Sequence, residues 1–243
     1  MSNKKVIIDK RMRKIEKQKL QDMGYEIIEV QTNNDVYPEI SSHVDIFACK
    51  VRNEIIVEPT QVFKGISNLV YGEEKILIPY PFDIRYNVCI IGKKAIHNLE
   101  YTDKILKQKL IDNNFELINT IQGYTNCSIA VIDDNSAIVT DKGLNKILQK
   151  HGIDTLYLNE RLDIKLLKEN NYSEKNGFIG GCIVRIDDKI IVFGDLSKID
   201  SQNKIRNFIN AKNLEIIEFK GLDVIDYGGL IEVELVKEWL KNI

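Results

Sequence analysis

Two stretches of this chain carry the same alternation of polar and apolar positions. Residues 123–141, GYTNCSIAVIDDNSAIVTD, and residues 177–195, GFIGGCIVRIDDKIIVFGD, each open on a Gly-aromatic pair. Each then runs through a cysteine and an apolar strand to an Asp-Asp turn, a second apolar strand and a closing Asp. Short Ile/Val-rich runs on either side of turn-forming residues predict a β-hairpin. The segments after the two hairpins also match. GLNKILQKHGIDTLYL (143–158) and SKIDSQNKIRNFINAKNLEIIEF (197–219) each predict a helix leading into a short strand. Their apolar residues Leu144, Ile147 and Leu148, then Ile205, Phe208 and Ile209, fall at three- and four-residue spacing. The repeating unit is ββαβ.

The same grammar occurs twice more upstream. Residues 83–98 predict a hairpin turning at Gly92-Lys93, followed by the helix TDKILKQKLIDNN (102–114) and the strand FELIN (115–119). Residues 43–58 predict another, turning at Arg52-Asn53, followed by a helical stretch near QVFKGISNLVYG (61–72) and the strand KILIP (75–79). The two ends supply a fifth unit. Residues 228–235, GGLIEVEL, read as half a hairpin, while residues 4–9 with the helix KRMRKIEKQKLQDM (10–23) and the strand YEIIEV (25–30) lack a first strand. Joined, they complete one unit, which leaves no sheet edge open. The expectation is a single α/β domain over residues 1–243: a closed five-bladed ββαβ ring whose last unit joins N- and C-terminal strands.

Composition narrows the partners. With 44% hydrophobic and 29% charged residues, this is an ordinary globular chain, and a net charge of −2 exerts no general pull on nucleic acid or an anionic membrane. No apolar run reaches signal-peptide or membrane-span length, so a cytoplasmic protein is expected. Cys49, Cys89, Cys127 and Cys182 form no CxxC pair, and no spacing supports a metal site from His43, Asp45, Cys127 and Cys182. Neither a metal nor a cofactor is expected. Asp9, Asn98, Asp141 and Asp195, each closing a hairpin ahead of a helix, read as N-caps. The basic stretch from Lys10 to Lys19 reads as a solvated helix face.

In a ring of such units, equivalent positions meet around one axis. Counted from the turns, the position of Cys127 and Cys182 is held by Asp45 and Asn87 in the two units before them. In the split unit it falls near residues 230–232. Such an asymmetric polar set, with His43, Asp83, Arg85, Asn126 and Asp226 as neighbours, suggests a binding site, satisfied structural polar groups being the alternative. His43 lies two residues from Asp45 and shares its strand face, an arrangement suited to moving protons near neutral pH as well as to an ordinary surface pair.

These residues resemble a known architecture. A five-unit ββαβ ring with His43-Val44-Asp45 at a strand mouth and Gly228-Gly229 in the terminal strand resembles the pentein, or guanidino-group-modifying enzyme, fold. YPFDIRYNVCIIG with its following HN, GYTNCSIAVIDDNSAIVTDKG and GFIGG resemble an uncharacterised bacterial family assigned to that fold. The resemblance implies a central cavity binding a small polar ligand with a guanidino or amine group, held by Asp45, Asp83 and Asp226, with C–N bond hydrolysis as the leading enzymatic expectation. It also exposes a departure. Deiminases and amidinotransferases of the fold carry glycines, then a His and a nucleophilic Cys, in the last unit. Alignment on Gly228 and Gly229 sets Glu232 and Val233 at those two positions, and valine is no nucleophile. Cys127 with His43 is the substitute pair of nucleophile and proton carrier, and Arg85, Asn87, Asn126 and Cys182 complete the expected ligand-binding set. The competing expectation is a non-catalytic module on the same fold, binding RNA, a ribosome or a protein. The oligomeric state is open.

Overall fold

A computed structural model of the chain describes residues 4–169 and 171–233. The end of the expected terminal strand, residues 234–235, lies outside them. In chain order the elements begin with β1 (Lys4–Asp9), α1 (Lys14–Asp22) and β2 (Tyr25–Val30). A one-turn helix α2 (Val44–Phe47) leads into β3 (Ala48–Val51), β4 (Glu54–Val57) and β5 (Leu69–Tyr71). Next come β6 (Cys89–Ile91), β7 (Lys94–His97), α3 (Lys104–Asp112) and β8 (Glu116–Asn119). A second one-turn helix, α4 (Thr125–Ser128), precedes β9 (Ile129–Asp133), β10 (Ser136–Val139), α5 (Lys142–Lys150) and β11 (Asp154–Tyr157). A hairpin of β12 (Lys165–Lys168) and β13 (Asn171–Asn176) comes after them, then β14 (Ile183–Ile186), β15 (Lys189–Val192), α6 (Lys204–Asn210), β16 (Glu215–Ile217) and β17 (Leu230–Val233).

Among the described residues the strands form five three-stranded sheets and the β12–β13 pair. Each three-stranded sheet has one topology: a central strand antiparallel to one neighbour and parallel to the other. The antiparallel partner belongs to the hairpin, while the parallel one returns after a crossover. In the sheet built from both termini, β1 pairs antiparallel with β17, Ile7 facing Ile231, and parallel with β2. The expected turns appear with their chemistry: Arg52, Gly92 and Asp187 take left-handed conformations at φ 56°, 56° and 51°.

The apolar residues of each sheet are shared with the next. Ile7, Val30 and Val233 of the terminal sheet pack with Ile55 and Ile56 of the β3–β5 sheet and with Ala95 of the β6–β8 sheet. Cys89 and Ile96 join Ile129 and Ala137, Ala130 and Ile138 join Ile183 and Ile190, and Ile191 and Ile217 join Val6 and Ile8. Each such Ile or Val contributes about 1.5–3 kcal/mol by leaving water. The helices anchor the outer strands through one apolar stripe, Leu106 and Leu110 on α3, Leu144 and Leu148 on α5, Ile205 and Ile209 on α6.

Several local expectations are corrected. No helix forms over residues 61–72, and the returning strand is Leu69–Tyr71 rather than residues 75–79. Gly65, at φ 75°, interrupts any helical turn there, and the later stretch bends through cis peptides before Pro79 and Pro81. The β12–β13 hairpin was not anticipated because its polar strands lack an apolar alternation. Of the expected caps, Asp141 accepts the Leu144 amide at 2.7 Å and caps α5. Asp195 instead caps the short 3₁₀ turn Leu196–Lys198, Asp103 rather than Asn98 caps α3, and Asp9 accepts four bonds from the backbone and guanidinium nitrogens of Arg11. In these cases the helix begins several residues after the hairpin, at Lys14, Lys104 and Lys204, so the residue closing the hairpin is not the one that precedes the first turn. Among the described residues no helix is long and apolar enough to cross a membrane.

Candidate functional site

The segments leading into the hairpins meet one another. The Asp45 amide donates to the Gly228 carbonyl at 3.2 Å, and the Asn87 side-chain amide donates to the Asp45 carbonyl at 3.2 Å. Asn87 Oδ1 accepts the Asn126 amide at 2.9 Å. The Gly181 carbonyl accepts from the Tyr227 and Gly229 amides at 3.0 and 3.1 Å. Such close approach depends on particular glycines. A Cβ on Gly181 would stand 1.7 Å from Asp226 Oδ1, and one on Gly228, whose φ is 66°, would stand 2.5 Å from His43 Cβ and 2.6 Å from Asp45 Oδ1.

Asp45, Asn87, Asn126 and Cys127 therefore converge, as the repeat register predicts. Cys127 Sγ lies 2.9 Å from Asp45 Oδ2, and the Asn87 amide donates to the sulfur at 3.1 Å. Asn126 Nδ2 donates to the same Asp45 oxygen at 3.3 Å, leaving Asp45 Oδ1 buried without a partner. Asp45 and Cys127 sit on one-turn helices just before their strands, not on the strands themselves. His43 is fully buried, and neither of its ring nitrogens makes a hydrogen bond. Its Nδ1 is 3.8 Å from Asp226 Oδ1. Asp226 is anchored by the Phe178 and Gly228 amides at 2.8 and 2.9 Å.

His43, Cys127 and Asp226 line one cavity of about 260 Å³, walled by Tyr37, Ile40, Tyr124, Leu166 and Phe178 and edged by Glu39, Lys175 and Asn176. A second cavity of about 250 Å³ touches Asp45 and Asn126, with Arg185 and Glu232 among its walls. Burial governs the ionisation of the cluster. It pushes the Asp45 carboxyl up to about 6, against the hydrogen bonds from Cys127, Asn126 and Asn87 that favour the anion. It raises Asp226, lowers His43 and holds the Cys127 thiol well above its ordinary value, an effect that the Asp45 and Asp226 carboxylates reinforce. Near neutral pH the arrangement is a carboxylate beside a protonated thiol, with a neutral imidazole facing the same cavity.

Not every expected residue joins. Cys182 is fully buried among apolar side chains, its thiol donating only to the Ile179 carbonyl at 3.4 Å. Arg85 turns instead to Glu74 at 2.5 Å and lies over the Phe82 ring. Asp83 does not line the cavity but stands behind it, accepting the Tyr124 hydroxyl at 2.5 Å. Glu232 and Val233 face other duties: Glu232 accepts the Tyr25 hydroxyl at 3.0 Å, and Val233 is buried in the core. The wall residues Tyr124 and Phe178 were missed as functional, although each is the aromatic half of the Gly-aromatic pair opening a repeat. Among the described residues no three His, Cys, Asp or Glu side chains gather as a metal site.

Comparison with solved structures places this architecture among the penteins. The fold resembles dimethylarginine dimethylaminohydrolase in an adduct with S-methyl-L-thiocitrulline, with a TM-score of 0.53 at 9% identity over 92% of this chain and 93% of that one. The Pseudomonas aeruginosa enzyme in complex with citrulline gives 0.52 at 9% identity over the same 92% and 93%. The C. jejuni agmatine deiminase with substrate bound gives 0.50 at 12% identity over 91% of this chain and 80% of that one. No curated protein sequence matches the chain. The chain has the pentein fold, and it belongs to the family of unknown function DUF6873, whose model matches residues 7–231.

Proposed function

We propose that the five sheets close into a five-bladed ring whose central cavity takes a small polar ligand with an amine or guanidino head, and that Cys127 attacks that ligand in a C–N bond hydrolysis. The observation carrying this reading is the buried, unpartnered His43 sharing a cavity with a thiol hydrogen-bonded to Asp45. A buried polar group without a partner costs stability, so its persistence favours a ligand that completes it. Ring closure draws support from the succession of shared apolar clusters, the last of which returns to the first sheet. The usual terminal nucleophile is replaced by a packed valine at 233, and Cys127 takes its part from another unit.

The chemistry follows from the charges. Two carboxylates beside the thiol oppose its ionisation, and a cationic head in the cavity offsets them. As the sulfur bonds to the amidine or guanidine carbon, the thiol proton passes to Asp45 Oδ2. The C–N bond breaks as the departing amine receives that proton through His43. Water then attacks the carbon and, as the C–S bond breaks, one of its protons returns through His43 to the sulfur while the other leaves on the released amine as an ammonium ion. Asp226, which lines the same cavity, supplies the charge-assisted hydrogen bonds that hold the head, and Asp45 adds its negative charge from behind Cys127.

A thermal-shift screen with arginine, agmatine, related amines and dipeptides tests the site. A ligand at about 100 times its Kd adds about 2.7 kcal/mol of apparent stability, a shift of several degrees in a chain of this size. The gain should shrink in Asp45→Asn. Failure of every ligand to stabilise the parent chain, or equal stabilisation of the parent and Asp45→Asn, would defeat the assignment. A second reading, a non-catalytic module for a protein partner, draws on the exposed Leu77, Ile78, Phe82 and Ile121. It requires that no turnover accompany ligand binding.

A further inference from the structure

We propose that the cavity continues into an aromatic subsite formed by Tyr124, Phe178 and Tyr80, and that the ligand carries an aromatic group beyond its cationic head. This rests on the preceding reading of the head-group cavity and names the part of the ligand that reading leaves open. Tyr124 and Phe178 line the cavity and stack on each other, ring centroids 6.3 Å apart and planes 27° from parallel. Tyr80 continues the row, 5.7 Å from Tyr124 and tilted by 37°. The row leads outward: Tyr124 is half-buried, whereas Phe178 and Tyr80 are 37% and 43% exposed.

The central ring is fixed before any ligand arrives. The Tyr124 hydroxyl donates to Asp83 Oδ2 at 2.5 Å, and Asp83 is fully buried with its other oxygen unpartnered. An ordered ring loses little freedom on binding, so its stacking contributes almost fully to affinity. Tyr80 also borders an outer hollow with Ile121, Leu144 and Ile147, and Ile121 is 92% exposed. Apolar rings held at a surface and contiguous with a cavity fit an apolar group entering from that side. Offset-stacked rings with centroids 4.5–7 Å apart attract beyond the area they bury, and the part-exposed Phe178 and Tyr80 at the two ends of this row are open to one more ring. The occupant is the aromatic part of the ligand whose head reaches His43, Cys127 and Asp226.

The test compares two ligands with one head: butylguanidine and 4-phenylbutylguanidine, titrated calorimetrically into the full chain and into Tyr80→Ala, Tyr80→Leu and Phe178→Ala. The phenyl compound should bind the parent about tenfold more tightly. That ratio should fall toward one in both alanine variants. Tyr80→Leu, which keeps apolar bulk without an aromatic face, should fall between. Binding of both compounds with equal affinity would overturn the aromatic subsite and leave the head-group cavity standing. Binding of neither would overturn both. A tenfold preference that survives all three substitutions would remove these residues from the subsite.

Discussion

The two repeats beginning at Gly123 and Gly177 are nearly one sentence, yet their cysteines live in different chemistry. Cys127 touches Asp45 and Asn87 and lines a cavity, whereas Cys182 has a backbone carbonyl and an apolar shell. Their own strands do not separate them, since both precede an Ile-rich strand in an antiparallel hairpin. The neighbours do. Asp45 and Asn87 come from the β3–β5 and β6–β8 units and reach Cys127. The equivalent ground at Cys182 is occupied by Gly180 and Gly181, packed against the Asn126 carbonyl and the Asp226 carboxylate. A repeat sets where a side chain points, and the adjoining units set what it can do there.

The largest expected difference between the two thiols is in activity. Cys127→Ala should reduce turnover of any substrate found by at least about 10³-fold, in line with the loss of a nucleophile, while Cys182→Ala retains the chemistry. Comparable losses in the two variants, measured as kcat/KM, would erase the distinction. Next is the dependence on pH. Asp45 in the folded chain titrates near 6 against an unfolded value of 3.8, so the folded state favours its protonated form. The unfolded chain gives up this proton first, so stability is fullest below about pH 4, falls as pH rises through the interval to about 6, and levels above it. The difference between the parent and Asp45→Asn, followed by denaturant unfolding, should change by about 3 kcal/mol across that window. Activity runs the other way, falling below about pH 6 as Asp45 loses its capacity to accept the thiol proton. Cys182 variants should leave both profiles in place.

Smaller effects sharpen the contrast. Cys182→Ser buries a hydroxyl among apolar groups and should cost about 1–3 kcal/mol, whereas Cys127→Ser keeps Asn87 and Asp45 as partners and should cost less than about 1 kcal/mol. A reversed order in urea unfolding would contradict the environments described. Of the same small order is the cap that closes the first repeat: Asp141→Ala should cost about 1 kcal/mol, read from the same unfolding curves.

Much of the fold was legible because each unit repeats a local code. Ile/Val runs around Asn, Gly or Asp turns and Leu or Ile at helical spacing need no distant partner to be recognised. The code fails where packing overrides local preference, as in residues 61–79, whose apolar residues suggest a helix and a later strand but which form a loop through Gly65, the short strand Leu69–Tyr71 and an irregular run ending at Pro79. The site was legible to the extent that register alone places a residue. Counting from the turns sets Asp45, Asn87, Cys127 and Cys182 at one equivalent position. Three of the four do meet, together with the neighbouring Asn126, because equivalent strands begin near one another, while Cys182 packs among apolar side chains instead. Arg85 could not be followed in this way, since a long side chain chooses among neighbours, and Glu74 was closer.

The sequence by itself thus determined the hairpin and returning strand of each unit, the crossover helix in four of the five, the union of the two termini and most of the polar positions that would approach one another, all properties of periodicity and turn chemistry. The tertiary structure alone decided which thiol meets a carboxylate, that His43 is buried beside Asp226 without a hydrogen bond, and that Tyr124 and Phe178 wall a cavity. Those features depend on contacts between units far apart in the chain, where burial and a separation of a few ångströms set protonation and hydrogen bonding, and nothing local encodes them.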